Sequence, residues 1–247
     1  MFNLEAAVKR KFCIVCWLLV GVLSPGSALT APAVSPARVH AVYDVLKGSI
    51  KVATMTETYT RTKDGYHIES VTKAHGLLAV FKPETIQVTS EGTLTAHGLR
   101  PNTFIQQRKL DSERNTRADF DWQANQVTLN DRGGMRLMPL PEGAQDRLSV
   151  MYQFMFLEPQ NMKTYELYMS NGRKLGKYSY NITPGQSVKV PLGTYKAVYL
   201  ASPPEPGENR TEVWLAAENF NLPCKVDVTD PDGGKLTQVL TQFKIEP

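Results

Sequence analysis

Between Gln145 and Leu157 the chain reads Gln-Asp-Arg-Leu-Ser-Val-Met-Tyr-Gln-Phe-Met-Phe-Leu, the one convincing helix signal in a sequence otherwise made of strand and turn signals. Wound at about 100° per residue, this segment is apolar nearly all round, with one narrow polar stripe through Asp146, Ser149 and Gln153. Such a helix has to be enclosed, and strands are what the chain offers to enclose it. The sequence therefore predicts a central helix over 145–157. Asp146 is its N-cap, because a carboxylate there accepts the amide hydrogen three residues on, and Pro159 stops it. The stripe is expected to face the open side of a curved sheet.

The strand signals are short runs rich in Thr, Val, Ile and Tyr, separated by Gly, Pro, Asn and Asp. They run from Val39 through Ile50–Arg61, the Lys63-Asp64-Gly65 turn and Tyr66–Lys73, and continue to Leu236–Ile245 at the end of the chain. Breaks are expected at Glu91-Gly92, Arg100-Pro101, Asp131 to Gly134 and Pro184-Gly185. About a dozen strands joined by short turns implies antiparallel neighbours, and a sheet that long must curl or close. The fold class is mainly β: a large, strongly curved antiparallel sheet, an open or half barrel, wrapping one mostly apolar helix.

The N-terminus reads as a secretory signal peptide over residues 1–28. Lys9, Arg10 and Lys11 precede an uncharged run from Phe12 to Leu23, and Gly26-Ser27-Ala28 supplies a small-x-small site with cleavage after Ala28. The run is shorter than the roughly 20 residues of a membrane span. An uncleaved anchor is the alternative reading, and the flanking small residues favour cleavage. Residues 29–38 form a disordered lead-in and residues 39–247 a single β half-barrel domain. The whole chain has 28 basic and 24 acidic residues; removal of the signal leaves 25 and 23, with no basic block of the kind that binds nucleic acid. Two of the three cysteines leave with the signal, so Cys224 has no intrachain partner and reads as a small buried hydrophobe. No transmembrane segment is expected in the mature chain.

Residues that could carry chemistry have simpler explanations. His40, His67, His75 and His97 show no metal-type spacing. Ser149 lies in a helix without a nucleophile elbow, so Asp146 and Ser149 read as cap and back-bonding hydroxyl rather than parts of a triad. No catalytic residue, cofactor or metal is expected.

Several segments together resemble a bacterial family without assigned activity, domain of unknown function 3108. They are Ser90-Glu91-Gly92-Thr93-Leu94 with Gly98-Leu99-Arg100-Pro101 and Phe104; Gln145-Asp146-Arg147-Leu148-Ser149; Thr183-Pro184-Gly185 leading to Gly193-Thr194-Tyr195; and Glu212-Val213-Trp214-Leu215 followed by Asn221 to Val226. Cys224 stands where an aliphatic residue is expected. The resemblance implies an exported, periplasmic, mostly β envelope protein of Gram-negative type. Its general look is similar to the helix-filled half-barrels of lipoprotein carriers, a likeness of architecture that carries no function.

Met151, Tyr152, Phe154, Met155 and Phe156 read first as core. If the sheet wraps the helix incompletely, they line an apolar groove, with Leu77 and Phe81 of the Gly76–Phe81 patch as a second wall or flap. The expected function is non-enzymatic binding of a lipid-like, apolar or amphipathic ligand or of an envelope component. The alternative is a structural or assembly module contacting another envelope protein, and hydrolysis ranks last.

Overall fold

The computed structural model describes residues 35–81 and 83–247, without the side chains at 77 and 78. The expected signal peptide, its cleavage after Ala28 and residues 29–34 of the lead-in lie outside the described residues. From Ser35 on, the chain is seated rather than disordered. Ser35 is buried, with its hydroxyl 3.5 Å from that of Tyr59, and Arg61 N–H donates to Ala37 O at 2.8 Å.

One 15-stranded sheet holds the molecule together. Its strands are β1 (Arg38–Lys47), β2 (Ile50–Arg61), β3 (Gly65–Ala74), β4 (Thr85–Thr95), β5 (Gly98–Arg108), β6 (Thr116–Asp121), β7 (Gln126–Asp131) and β8 (Gly134–Pro139), then β9 (Gln145–Asp146), β10 (Thr164–Ser170), β11 (Leu175–Val190), β12 (Gly193–Ala201), β13 (Arg210–Ala216), β14 (Leu222–Thr229) and β15 (Lys235–Glu246). The order is β8-β7-β6-β5-β4-β3-β2-β1-β15-β14-β13-β12-β11-β10-β9. Two meanders thus run outward from the β1–β15 seam. Every pairing is antiparallel except β9 with β10. The alternation of buried and half-exposed residues along β1 and β2 shows one face turned to the core.

The sheet curls. β6 and β10 stand eleven places apart in its order, about 50 Å if it were flat, yet Thr116 Oγ1 donates to Asn171 O, in the β10–β11 turn, at 2.9 Å. Arg136 on β8 reaches the same turn at Arg173 O, 2.7 Å away. The edges, β8 and β9, are not paired with each other, so the barrel is open.

Three expected breaks, Glu91-Gly92, Arg100-Pro101 and Pro184-Gly185, belong to strand interiors. Glu91-Gly92 is a bulge in β4, with Gly92 opposite Pro101 of β5. A Cβ on Gly92 would lie 2.2 Å from Arg100 O, so only glycine lets these backbones approach so closely. Pro184-Gly185 is likewise a bulge inside the long β11, opposite β12. Beyond it the buried face of β12 changes: Val198 and Leu200 face one core cluster, while Tyr195 and Ala197 face another with Val188, Tyr43 and Met55. Gly133-Gly134 turns into β8, a strand the sequence reading did not anticipate.

The long central helix is absent. Gln145 and Asp146 form a strand fragment on β10, Ser149–Gln153 makes a single short helix, α2, and Phe154–Phe156 a 3-10 turn. Leu157 is already extended, ahead of Pro159. The other helical segment, α1 (Gly76–Phe81), joins β3 to β4. The side chains of α2 and the following turn are nonetheless enclosed between the two meanders. Tyr152 and Met155 join the cluster of Tyr59, Ile68 and Phe104, whereas Val150 and Phe154 join that of Leu200, Val213 and Leu215.

Candidate functional site

The polar stripe of the 145–153 segment is not on an open side. Asp146 and Ser149 are fully buried and Gln153 nearly so, because the β4–β5 hairpin crosses over them. Asp146 Oδ1 accepts the amides of Leu148 and Ser149, both at 2.8 Å, so the expected capping bond three residues on is present. Ser149 Oγ bonds back to Asp146 O at 3.1 Å and accepts Asp146 N–H at 3.0 Å. Asp146 Oδ2 accepts the hydroxyl of Ser90 at 2.5 Å, and Tyr66 OH lies 3.2 Å from Ser90 Oγ. Burial pushes the Asp146 carboxyl above its ordinary range, although the bonds from Ser90, Ser149 and Leu148 pull the other way.

Two glutamines extend this latch. Gln153 accepts Leu99 N–H at 2.7 Å and donates to His97 O at 2.7 Å; Gln145 donates to Leu99 O at 2.8 Å. Gly98 makes room for them. Its φ is +103°, and a Cβ there would stand 2.5 Å from the Gln153 amide oxygen. The segments quoted for the family resemblance therefore meet in space: Ser90 and Leu99 from one part of the chain, Gln145, Asp146 and Ser149 from another.

Above this latch lies a cavity of about 780 Å³ between the β4–β5 hairpin, the 142–145 segment and β10. Leu99, Trp122, Ala144, Tyr165 and Leu167 supply its apolar lining. Polar groups stand around them. Arg100 stacks over Trp122 with its guanidinium carbon 4.7 Å from the ring centroid, and Lys177 pairs with Glu166 at 2.8 Å. Gln145 contributes a buried amide oxygen that has no hydrogen-bond partner.

The groove expected along Met151, Tyr152, Phe154, Met155 and Phe156 is not this cavity; Gln153 is the one residue of α2 that lines it. Tyr152, Phe154 and Met155 are buried core. Tyr152 stacks on Tyr59 at 5.5 Å and donates to Glu57 at 3.1 Å, and Phe154 meets Tyr165 edge-on at 5.5 Å. Met151 and Phe156 are half-buried against the same clusters. Phe81 is exposed at the far end of β4, so it is no second wall here, and the side chain of Leu77 lies outside the described residues. The aromatic and Met residues pack because both meanders close on a short helical turn. Tyr165 and Leu167 alternate on β10, whereas Leu99 stands at the start of β5 and Trp122 just after β6, and no sequence spacing betrays the convergence of these three places. Among the described residues no group of three or more His, Cys, Asp or Glu is placed to hold a metal ion.

A family model described as protein of unknown function, DUF3108, matches residues 39–241, the whole sheet but the first residue and the last few. The chain belongs to the DUF3108 family. No curated protein matches. Among solved structures, the beta-barrel-like protein of domain of unknown function DUF1849 from Brucella abortus is similar at a TM-score of 0.56 and 14% identity, over 87% of this chain and 100% of that one. That likeness supports the barrel-like fold of this DUF3108 chain and nothing about its activity. A hypothetical protein from Chlamydia trachomatis aligns over 85% of this chain and 88% of its own at 10% identity, but with a TM-score of 0.35.

Proposed function

We propose that this DUF3108 protein is an exported, non-enzymatic binder that holds an amphipathic ligand in the cavity between the β4–β5 hairpin and β10. The observation that carries the reading is the cavity: about 780 Å³, floored by Leu99, Tyr165 and Leu167, and rimmed by Arg100, Glu166 and Lys177. Its size and its mixture of apolar walls with a few polar groups suit a small amphiphile. Asp146 and Ser149, the pair in the sequence that could be recast as parts of a triad, are sealed in the latch with Ser90 and cannot meet a substrate, which supports binding over hydrolysis.

Native mass spectrometry of protein purified after export tests this directly. An amphiphile should co-purify, and its re-addition to stripped protein should change the emission of Trp122, with the change lost in Trp122→Phe. A bare mass together with unchanged Trp122 emission across a panel of fatty acids and lysophospholipids refutes it.

A further inference from the structure

Ten large apolar side chains are exposed among the described residues, and five of them stand at one end of the sheet. The registers place them there. Lys47 pairs with Ile50 across the β1–β2 turn and with Leu236 on β15. On the neighbouring strands His75 N–H donates to Val52 O at 2.8 Å, Ala74 N–H to Glu84 O at 3.1 Å and Leu110 N–H to Glu84 Oε1 at 3.1 Å. Leu236, Ile50, α1 and Leu110 therefore occupy successive strand ends from β15 to β5, a front of about 25 Å at the usual strand spacing. Ile50 is 68% exposed, Val80 75% and Phe81 82%. Apolar tips gathered this way on a soluble surface mark an interaction site.

Exposed Lys47, Lys73 and Lys109 stand among these tips. The nearby acids are engaged: Asp44 with Lys51 at 2.5 Å, Asp227 with Lys235 at 2.7 Å, Asp111 with Arg114 at 3.7 Å, and Glu84 Oε1 with two backbone amides. Asp230 and Asp232, in the β14–β15 turn, bound the front on one side. We propose that this end of the sheet docks on an anionic lipid bilayer. The tips belong to separate turns, not to one groove or one continuous edge, so they suit shallow insertion among headgroups while the lysines meet phosphates. The cavity opens at the other end of β4 and β5, about 30 Å away, so docking and ligand binding stand or fall separately.

Residues 29–247 contain every strand and core cluster among the described residues, so the test uses that chain, free of the apolar 12–23 run. It should sediment with phosphatidylcholine vesicles containing phosphatidylglycerol and much less with phosphatidylcholine alone. Lys47→Glu and Lys109→Glu should each weaken binding about fivefold or more. Val80→Ser with Phe81→Ser should abolish it while leaving the melting temperature unchanged, since both side chains are already in solvent. No sedimentation with anionic vesicles, or sedimentation that survives the Val80/Phe81 double substitution, overturns the proposal.

Discussion

Replacing Asp146 tests whether the latch holds the two meanders together. Asp146→Ala strands three donors in a sealed site: the amides of Leu148 and Ser149 and the hydroxyl of Ser90. Each buried donor left without a partner costs about 1–3 kcal/mol, and loss of the unfavourable burial of a carboxyl offsets part of the sum. A net loss of about 3–5 kcal/mol at pH 7 is expected, a large share of the 5–15 kcal/mol typical of a domain. Asp146→Asn keeps an acceptor for both amides and offers Nδ2 to Ser90 Oγ, so its cost should be far smaller. The pH dependence separates the two changes. Burial raises the Asp146 pKa in the folded state, so between its unfolded and folded pKa values the native protein binds the extra proton. Its contribution is complete below the unfolded value and is lost as pH rises through the folded one. Removing the titrating group should therefore make Asp146→Asn gain on wild type as pH rises above the ordinary carboxyl value and through the raised folded one. Glu57, also raised by burial, keeps its own share of the slope in both proteins. Urea unfolding followed by Trp fluorescence at several pH values measures all of this. A loss below about 1 kcal/mol for Asp146→Ala, or parallel pH profiles for Asp146→Asn and wild type, would refute the reasoning.

Gly98→Ala drives a Cβ into the Gln153 amide at a φ of +103°; it should cost about 1–3 kcal/mol and weaken any ligand held above Leu99, read by urea midpoint and Trp122 emission. Met155→Lys places an unpaired ammonium in the core beside Tyr59 and Leu148, and a thermal melt should show destabilisation on the order of 3 kcal/mol or more. Cys224 is fully buried and its thiol is pushed up to about 11 by burial. In the 29–247 chain Ellman's reagent should leave it unmodified in buffer and label it completely in guanidinium; rapid native labelling would show that the β13–β14 region is open.

The strands were legible where the pattern is local. Ile50–Arg61 alternates cleanly and emerges as β2 with those same ends; the hairpin does turn after it, but without the positive φ angles that Asp64-Gly65 suggests, since Gly65 already opens β3 and its missing Cβ makes room for Gly92 O. Glu91-Gly92, Arg100-Pro101 and Pro184-Gly185 misled because glycine and proline punctuate bulges as readily as turns; what decides is whether a partner strand continues past them, and that is non-local. β8 went unseen because Met135 and Leu137 face solvent on an edge strand, which removes the period-2 signal. The 145–157 segment carried a helical period over too few turns to fix its length. The site was less legible still. Asp146 makes the expected bond to the amide three residues on and Ser149 its back-bond, although Asp146 ends β9 and Leu148 holds the N-cap position of α2, and Leu99 meets Tyr165 and Leu167 only through the curl of the sheet.

That curl explains why polar residues interrupt an apolar segment. Both meanders start at the β1–β15 seam, so the chain leaves one edge at β8 and must cross the opening to begin the other at β9. A crossing segment cannot take ladder bonds along its whole length, yet it lies over the β4–β5 hairpin, whose Leu99 is shut away from water beneath it. Side chains have to serve in place of a strand. Gln145 and Gln153 bond both the N–H and the C=O of Leu99, and Asp146 absorbs the first amides of α2 together with the hydroxyl of Ser90. The stripe Asp146, Ser149 and Gln153 is thus the hydrogen-bonding surface of a cross-brace. The brace ends at Gln145, one residue after Ala144, and there the barrel stays unfilled. The cavity lies where the segment has not yet joined β10, so the position of the opening follows from the same connection that closes the core.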